Sequence, residues 1–211
     1  MADTDLDLEP ADDAPPGTGS LRWMIWLLAG IVVILVALTW AGSRNDAGPG
    51  DEPAFGGDFT LVAPDGSAVT RADIADKPFA IYFGFTRCPD VCPTTLASLA
   101  RMRKALGTDG DRFRIVFVSV DPGHDKPAAI GEYVSLFETP ILGLTGSTAQ
   151  LEQIEQGFGV YVKQVPQPGG DYTIDHTAAV FLIDAKGKLA GTISHGEPEK
   201  TGIEKLRLML D

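Results

Sequence analysis

The chain has 211 residues and a mass of 22.4 kDa, with 44% hydrophobic and 22% charged residues, a globular composition with length for one domain and a tail. Seventeen basic against 29 acidic residues leave a net charge of −12, which provides no basic stripe to neutralise phosphates and excludes a nucleic-acid partner. Cys88 and Cys92 are its two cysteines, which excludes a multi-bridge disulfide scaffold.

Residues 1–20 carry Asp3, Asp5, Asp7, Glu9, Asp12 and Asp13 with no Lys or Arg, and read as a disordered acidic tail. From Trp23 to Trp40 there is no charge over 18 residues. As a helix this run spans roughly 27 Å, close to the hydrocarbon thickness of a bilayer. Trp23, Trp26 and Trp40 sit at its ends, where amphipathic rings favour the interface, and Arg22 and Arg44 bracket it. A buried core helix would be shorter, and a cleaved signal peptide would begin basic and have a shorter apolar core. The expectation is a single transmembrane anchor over 21–42, contacting the membrane through 23–40. One Arg on each side leaves orientation undecided by charge. The acidic start is also the opposite of a mitochondrial transit peptide, so the targeting reads as bacterial. A linker over 43–54 then leads to one domain, 55–211.

Within that domain strands and helices alternate. FAIYFGF (79–85) and FRIVFVSV (113–120) are continuous apolar runs suited to strands buried on both faces. Pro93 to Leu106 carries Leu96, Leu99, Met102 and Leu106 at helical spacing, with Gly107 as a stop. Pro127–Phe137 and Thr148–Gly157 are further helices, and VYVKQV (160–165) is a strand. AVFLID (179–184) and LAGTIS (189–194) form a hairpin, and Glu197–Leu210 is a closing amphipathic helix. This order predicts an α/β sandwich with a mixed central sheet, on the thioredoxin-like plan.

The chemistry concentrates in Thr86-Arg87-Cys88-Pro89-Asp90-Val91-Cys92-Pro93, where a central strand gives way to a helix. Ligands gather beyond the carboxyl ends of such strands, and a helix N-terminus favours thiolate. Arg87 adds a positive charge beside the pair. Three residues separate the thiols, one more than in a redox CxxC, and Pro93 disfavours helical geometry at Cys92. Both thiols are therefore expected on a turn preceding the helix, wide enough to close around a metal ion or to form a disulfide. Two thiolates are soft ligands that select Cu(I) or Zn and need a further donor. The three histidines are His124, after the second strand, His176, in a loop before a core strand, and His195, at the end of the hairpin; each alone reads first as an ordinary loop residue. A Cys₂His set is one donor short of closed tetrahedral zinc and suits exchangeable copper.

Phe83-Gly84-Phe85-Thr86-Arg87-Cys88-Pro89-Asp90-Val91-Cys92-Pro93-Thr94, with Ser119-Val120-Asp121-Pro122, Leu144-Thr145-Gly146 and Asp175-His176-Thr177, resembles the Sco/SenC family over roughly 55–211. The resemblance implies a membrane-anchored, thioredoxin-like copper protein that helps to assemble the CuA centre of cytochrome c oxidase. It makes Cys88, Cys92 and His176 the copper ligands. Its implied partners are the oxidase subunit carrying CuA and other periplasmic copper carriers. It also implies an inner-membrane location, with the domain facing the periplasm and the tail in the cytoplasm. One departure is His124, where the family commonly has Arg. Asp121, Asp90 and Asp175 are each weighed between a role near the thiols and an ordinary turn.

Two function classes follow: a copper chaperone without catalytic residues, using Cys88, Cys92 and His176, and a thiol–disulfide reductase, using the Cys88–Cys92 pair alone.

Overall fold

The computed structural model describes residues 19–42 and 54–211. The acidic tail through residue 18 and the linker over 43–53 lie outside the described residues. The chain divides into two units between Glu52 and Pro53. In the first, helix α1 runs from Gly19 to Gly42. Its side chains are described for 23–35 and all are exposed. Among the described residues no helix is long and apolar enough to cross a membrane.

The second unit is built on a five-stranded sheet of β3 (Phe79–Gly84), β4 (Arg114–Ser119), β5 (Ile141–Leu144), β8 (Ala179–Ile183) and β9 (Leu189–Ser194), in the order β5-β4-β3-β8-β9. The pairs β3–β4 and β4–β5 are parallel, whereas β3–β8 and β8–β9 are antiparallel. This is the mixed sheet expected from the sequence. All six residues of β3 are buried, and so are five of six in β4, which is why both read as unbroken apolar runs rather than alternating ones.

Two layers cover the sheet. On one face Tyr82, Phe117 and Val180 meet α3 (Val91–Ala105), α4 (Pro127–Ser135) and α6 (Glu199–Leu210), with Phe117 packed on Tyr133 and Gly202 against Met102. On the other, Phe83 and Phe181 pack on each other and on Phe158 of α5 (Thr148–Phe158), and Phe181 also on Phe55, at ring separations of 5.4–6.2 Å. Such aromatic contacts add about 0.5–1.5 kcal/mol each beyond area burial.

Four strands are short or separate from the main sheet. Strands β1 (Thr60–Val62) and β2 (Ala68–Thr70) form one small hairpin, joined to α2 (Arg71–Ile74). The other hairpin is β6 (Val162–Pro166) with β7 (Tyr172–His176). His176 is thus the last residue of a strand, not a loop residue: its Cα pairs with that of Val162, which fixes its place at the hairpin's root.

Candidate metal centre

Strand β3 ends at Gly84, and after six intervening residues α3 begins at Val91. The helix starts two residues before the expected position, so Cys92 lies in its first turn while Cys88 alone occupies the preceding turn. A proline in the first turn forfeits only an N–H that has no helical partner, so Pro93 is tolerated there. Asp90 caps the helix through its backbone carbonyl, which accepts from the Thr94 amide at 3.1 Å and from the Thr94 hydroxyl at 2.8 Å.

Cys88, Cys92 and His176 come together: one potential ligand atom from each lies within 4.8 Å of the others. The Cys92 amide donates to Cys88 Sγ at 3.4 Å, and Cys92 Sγ lies 3.4 Å from His176 Nε2. His176 Nδ1 is 3.1 Å from the Thr177 carbonyl, which can only accept. Nδ1 therefore carries the proton and Nε2 turns its lone pair to the sulfurs. The imidazole is held edge-on by Tyr82 and Phe85. Glycine at position 84 makes room, since a Cβ there would stand 2.9 Å from Cys92 Sγ.

The two thiols differ. Both are free; Cys88 is half-buried and Cys92 fully buried. Hydrogen bonding from the Cys92 side chain, seconded by His176 and by the Cys92 and Asp90 backbone, holds the Cys88 thiol well below the usual range despite its partial burial. The Cys88 sulfur and burial together push Cys92 up. The pair thus carries one thiolate, on the more exposed sulfur. Alkylation of Cys88 by iodoacetamide is expected to stay nearly flat between about pH 7 and about pH 6, where an ordinary thiol slows about tenfold per unit. A tenfold fall for Cys88, located by peptide mass mapping, would contradict this thiolate assignment.

Around the thiols, the carboxylates have separate tasks. Asp125, buried, accepts from the Thr86 amide at 2.8 Å, the Thr86 hydroxyl at 2.5 Å and the Ser119 hydroxyl at 2.5 Å, tying the start of the cysteine turn to the end of β4. Asp121 is fully buried and accepts from the Tyr172 hydroxyl at 2.5 Å, with His124 Nδ1 at 3.1 Å and Arg87 Nη2 at 3.4 Å. Burial would raise its carboxyl pKa, but these partners outweigh burial and lower it. Its backbone carbonyl also accepts from the amides of His124 and Asp125, so the turn role and the cluster role coexist. Asp90 and Asp175 are exposed. Arg87 faces Asp121 and Asp171 rather than the thiols. Neither His124 nor His195, whose Nδ1 lies 3.2 Å from the Thr95 hydroxyl, belongs to the metal-ligating group found among the described residues.

Nothing in the one-dimensional pattern marks Asp125 or Tyr172. The only available signal was the pair of acids four apart in Asp121-Pro122-Gly123-His124-Asp125, closing a strand.

A family model described as SCO1/SenC matches residues 47–211. "Protein SCO1, mitochondrial" of Saccharomyces cerevisiae is 35% identical over 158 residues, covering 74% of this chain and 54% of its own length. The chain spans about half the length of the first curated relatives it matches. Among solved structures, Bradyrhizobium japonicum ScoI with copper bound is 38% identical with a TM-score of 0.68, covering 74% of this chain and all of the other. Yeast Sco1 with copper bound is 35% identical with a TM-score of 0.67, over 74% of this chain and 87% of the other.

Proposed function

The chain belongs to the SCO1/SenC family, and on that premise we propose that it is a copper chaperone, taking copper as cargo on Cys88, Cys92 and His176 for assembly of the CuA centre of cytochrome c oxidase. The observation that carries the reading is the convergence of two sulfurs and one imidazole nitrogen within 4.8 Å. This donor set fits copper: thiolates suit Cu(I), imidazole accommodates Cu(II), and three donors leave a position through which a partner's ligand can enter. The copper-bound relatives support the choice of metal. The partners proposed are the oxidase subunit bearing CuA and periplasmic carriers that supply copper.

Anchoring is part of the same proposal. It rests on the sequence, in which the 18 residues from Trp23 to Trp40 carry no charge and as a helix would span about 27 Å, close to the thickness of the bilayer's hydrocarbon core. The chain is proposed to be held in a bacterial inner membrane by this segment, with residues 55–211 in the periplasm.

The test is titration of the full chain, reduced and solubilised in detergent, with Cu(II) followed by absorption and spin resonance and Cu(I) followed by competition with a chelator. One-to-one binding by the wild type is expected, with Cu(II) affinity at least about tenfold weaker in His176→Ala. Equal binding by His176→Ala would remove the imidazole from the ligand set.

The geometry favours a second activity on the same residues: a half-buried Cys88 thiol, its pKa lowered by hydrogen bonding from Cys92, with the buried Cys92 thiol in the next turn. As a reductase, Cys88 attacks a client disulfide to give a mixed disulfide and releases one client thiolate. Cys92 then attacks Cys88, forming the Cys88–Cys92 disulfide and freeing the second client thiol. His176 is dispensable for that reaction, so reductase activity retained by His176→Ala separates the two.

A further inference from the structure

Arg87 immediately precedes the ligand Cys88, yet its guanidinium points away from the sulfur and joins three segments of the chain. Nη1 binds both Asp171 oxygens, at 2.9 and 3.2 Å. Nη2 lies 3.4 Å from Asp121, 2.9 Å from His124 Nδ1 and 3.4 Å from the Tyr172 carbonyl. The Tyr172 ring stacks under the guanidinium at 5.4 Å, and its hydroxyl reaches Asp121. Gly123 permits that approach, because a Cβ there would stand 2.7 Å from the Tyr172 hydroxyl.

These contacts are unequal in strength. Asp171 is exposed, and an exposed pair alone contributes little. Asp121 is wholly buried, and a buried carboxylate without a fixed cation is costly. The guanidinium answers that need with a planar fork that a point charge does not reproduce. Nη2 therefore bridges Asp121, just past the end of β4, to the Tyr172 carbonyl, and Nη1 holds Asp171, so the fork spans from β4 to the start of β7. That strand ends four residues later at His176.

We propose that Arg87 is a positioning residue of the metal centre, clamping the hairpin that carries His176 to the turn that carries Cys88. The inference rests on the copper-binding reading above. The clamp sets where the imidazole meets the sulfurs, so its effect is felt most with Cu(II), for which the nitrogen donor matters more. The sign of the effect separates positioning from electrostatics. Removing a positive charge beside a cation site strengthens cation binding by Coulomb's law, whereas loosening the clamp weakens it.

The experiment is Cu(II) titration of the detergent-solubilised full chain as wild type, Arg87→Ala, Arg87→Lys, His176→Ala and the Arg87→Ala/His176→Ala double variant, with spin-resonance spectra and melting curves. Arg87→Ala is expected to weaken Cu(II) about tenfold and to alter the spectrum, as groups that orient metal ligands do. Arg87→Lys recovers part of the loss, and the double variant binds no worse than His176→Ala. Should Arg87→Ala lower the melting point, Asp171→Asn breaks the same bridge from its exposed end and must weaken Cu(II) in the same direction. Equal or tighter binding by Arg87→Ala, an undiminished tenfold loss in the His176→Ala background, or no effect of Asp171→Asn overturns the proposal while wild-type binding leaves the copper reading standing. Failure of the wild type to bind copper overturns both.

Discussion

Cys92→Ser is expected to weaken Cu(I) binding by about two orders of magnitude or more. Structural metal sites with four donors hold their ion by about 10–16 kcal/mol, or roughly 3 kcal/mol per donor, and about 1.4 kcal/mol is a factor of ten. Cys92 is the largest single loss because its sulfur meets both other ligands, hydrogen-bonding the Cys88 thiol and lying 3.4 Å from His176 Nε2. Serine keeps the shape and can donate to the same imidazole, so the fold survives, but a hydroxyl is a hard donor with little affinity for Cu(I). Competition with a chelator, alongside far-UV circular dichroism, checks this. An affinity within tenfold of wild type, with the fold intact, would exclude Cys92 as a ligand.

The largest stability effect falls on a residue that touches no thiol. Asp125→Ala leaves the Thr86 amide and the Thr86 and Ser119 hydroxyls without their acceptor in a buried place. Each stranded donor costs about 1–3 kcal/mol; the hydroxyls recover part by rotating, and the amide cannot, so the sum is about 3 kcal/mol. Against a total stability of about 5–15 kcal/mol that is a large fraction. Urea unfolding should show the midpoint falling with an unchanged slope, which is a change in stability rather than in the surface exposed. A loss below about 1 kcal/mol would mean water replaces the carboxylate.

Much of this architecture was legible because the sheet centre is buried on both faces. Strands β3, β4 and β8 appear as apolar runs, and α3 shows its periodicity through Leu96, Leu99 and Met102. The pair Cys88 and Cys92 stands out because its spacing and proline flanks are rare. Strands β1 and β2, of three residues each, are too short for any period, and β7 mixes half-buried and exposed positions with Ile174 alone buried. His176 consequently reads as a loop residue. The roles of Asp125 and Tyr172 depend on contacts across 39 and 51 positions, which no local pattern encodes. Arg87 illustrates the same limit. Its charge beside the thiols is visible in the sequence, but its direction is set by Asp121, which only the folded β4 presents.

Cys92 and His176 meet across 84 positions of chain, and the sheet closes that distance by pairing β3 with β8 from Phe79↔Ile183 to Tyr82↔Val180. In an unfolded chain the same encounter requires closing a long loop, which costs entropy before any bond repays it. The three donors are therefore not assembled early to seed folding, as they are in small metal-nucleated domains whose ligands are close neighbours. Long-range strand pairing forms slowly, and a metal held by all three donors arrives only after it. Occupancy of this centre is thus a kinetic marker of completed folding, lagging sheet formation in a stopped-flow trace.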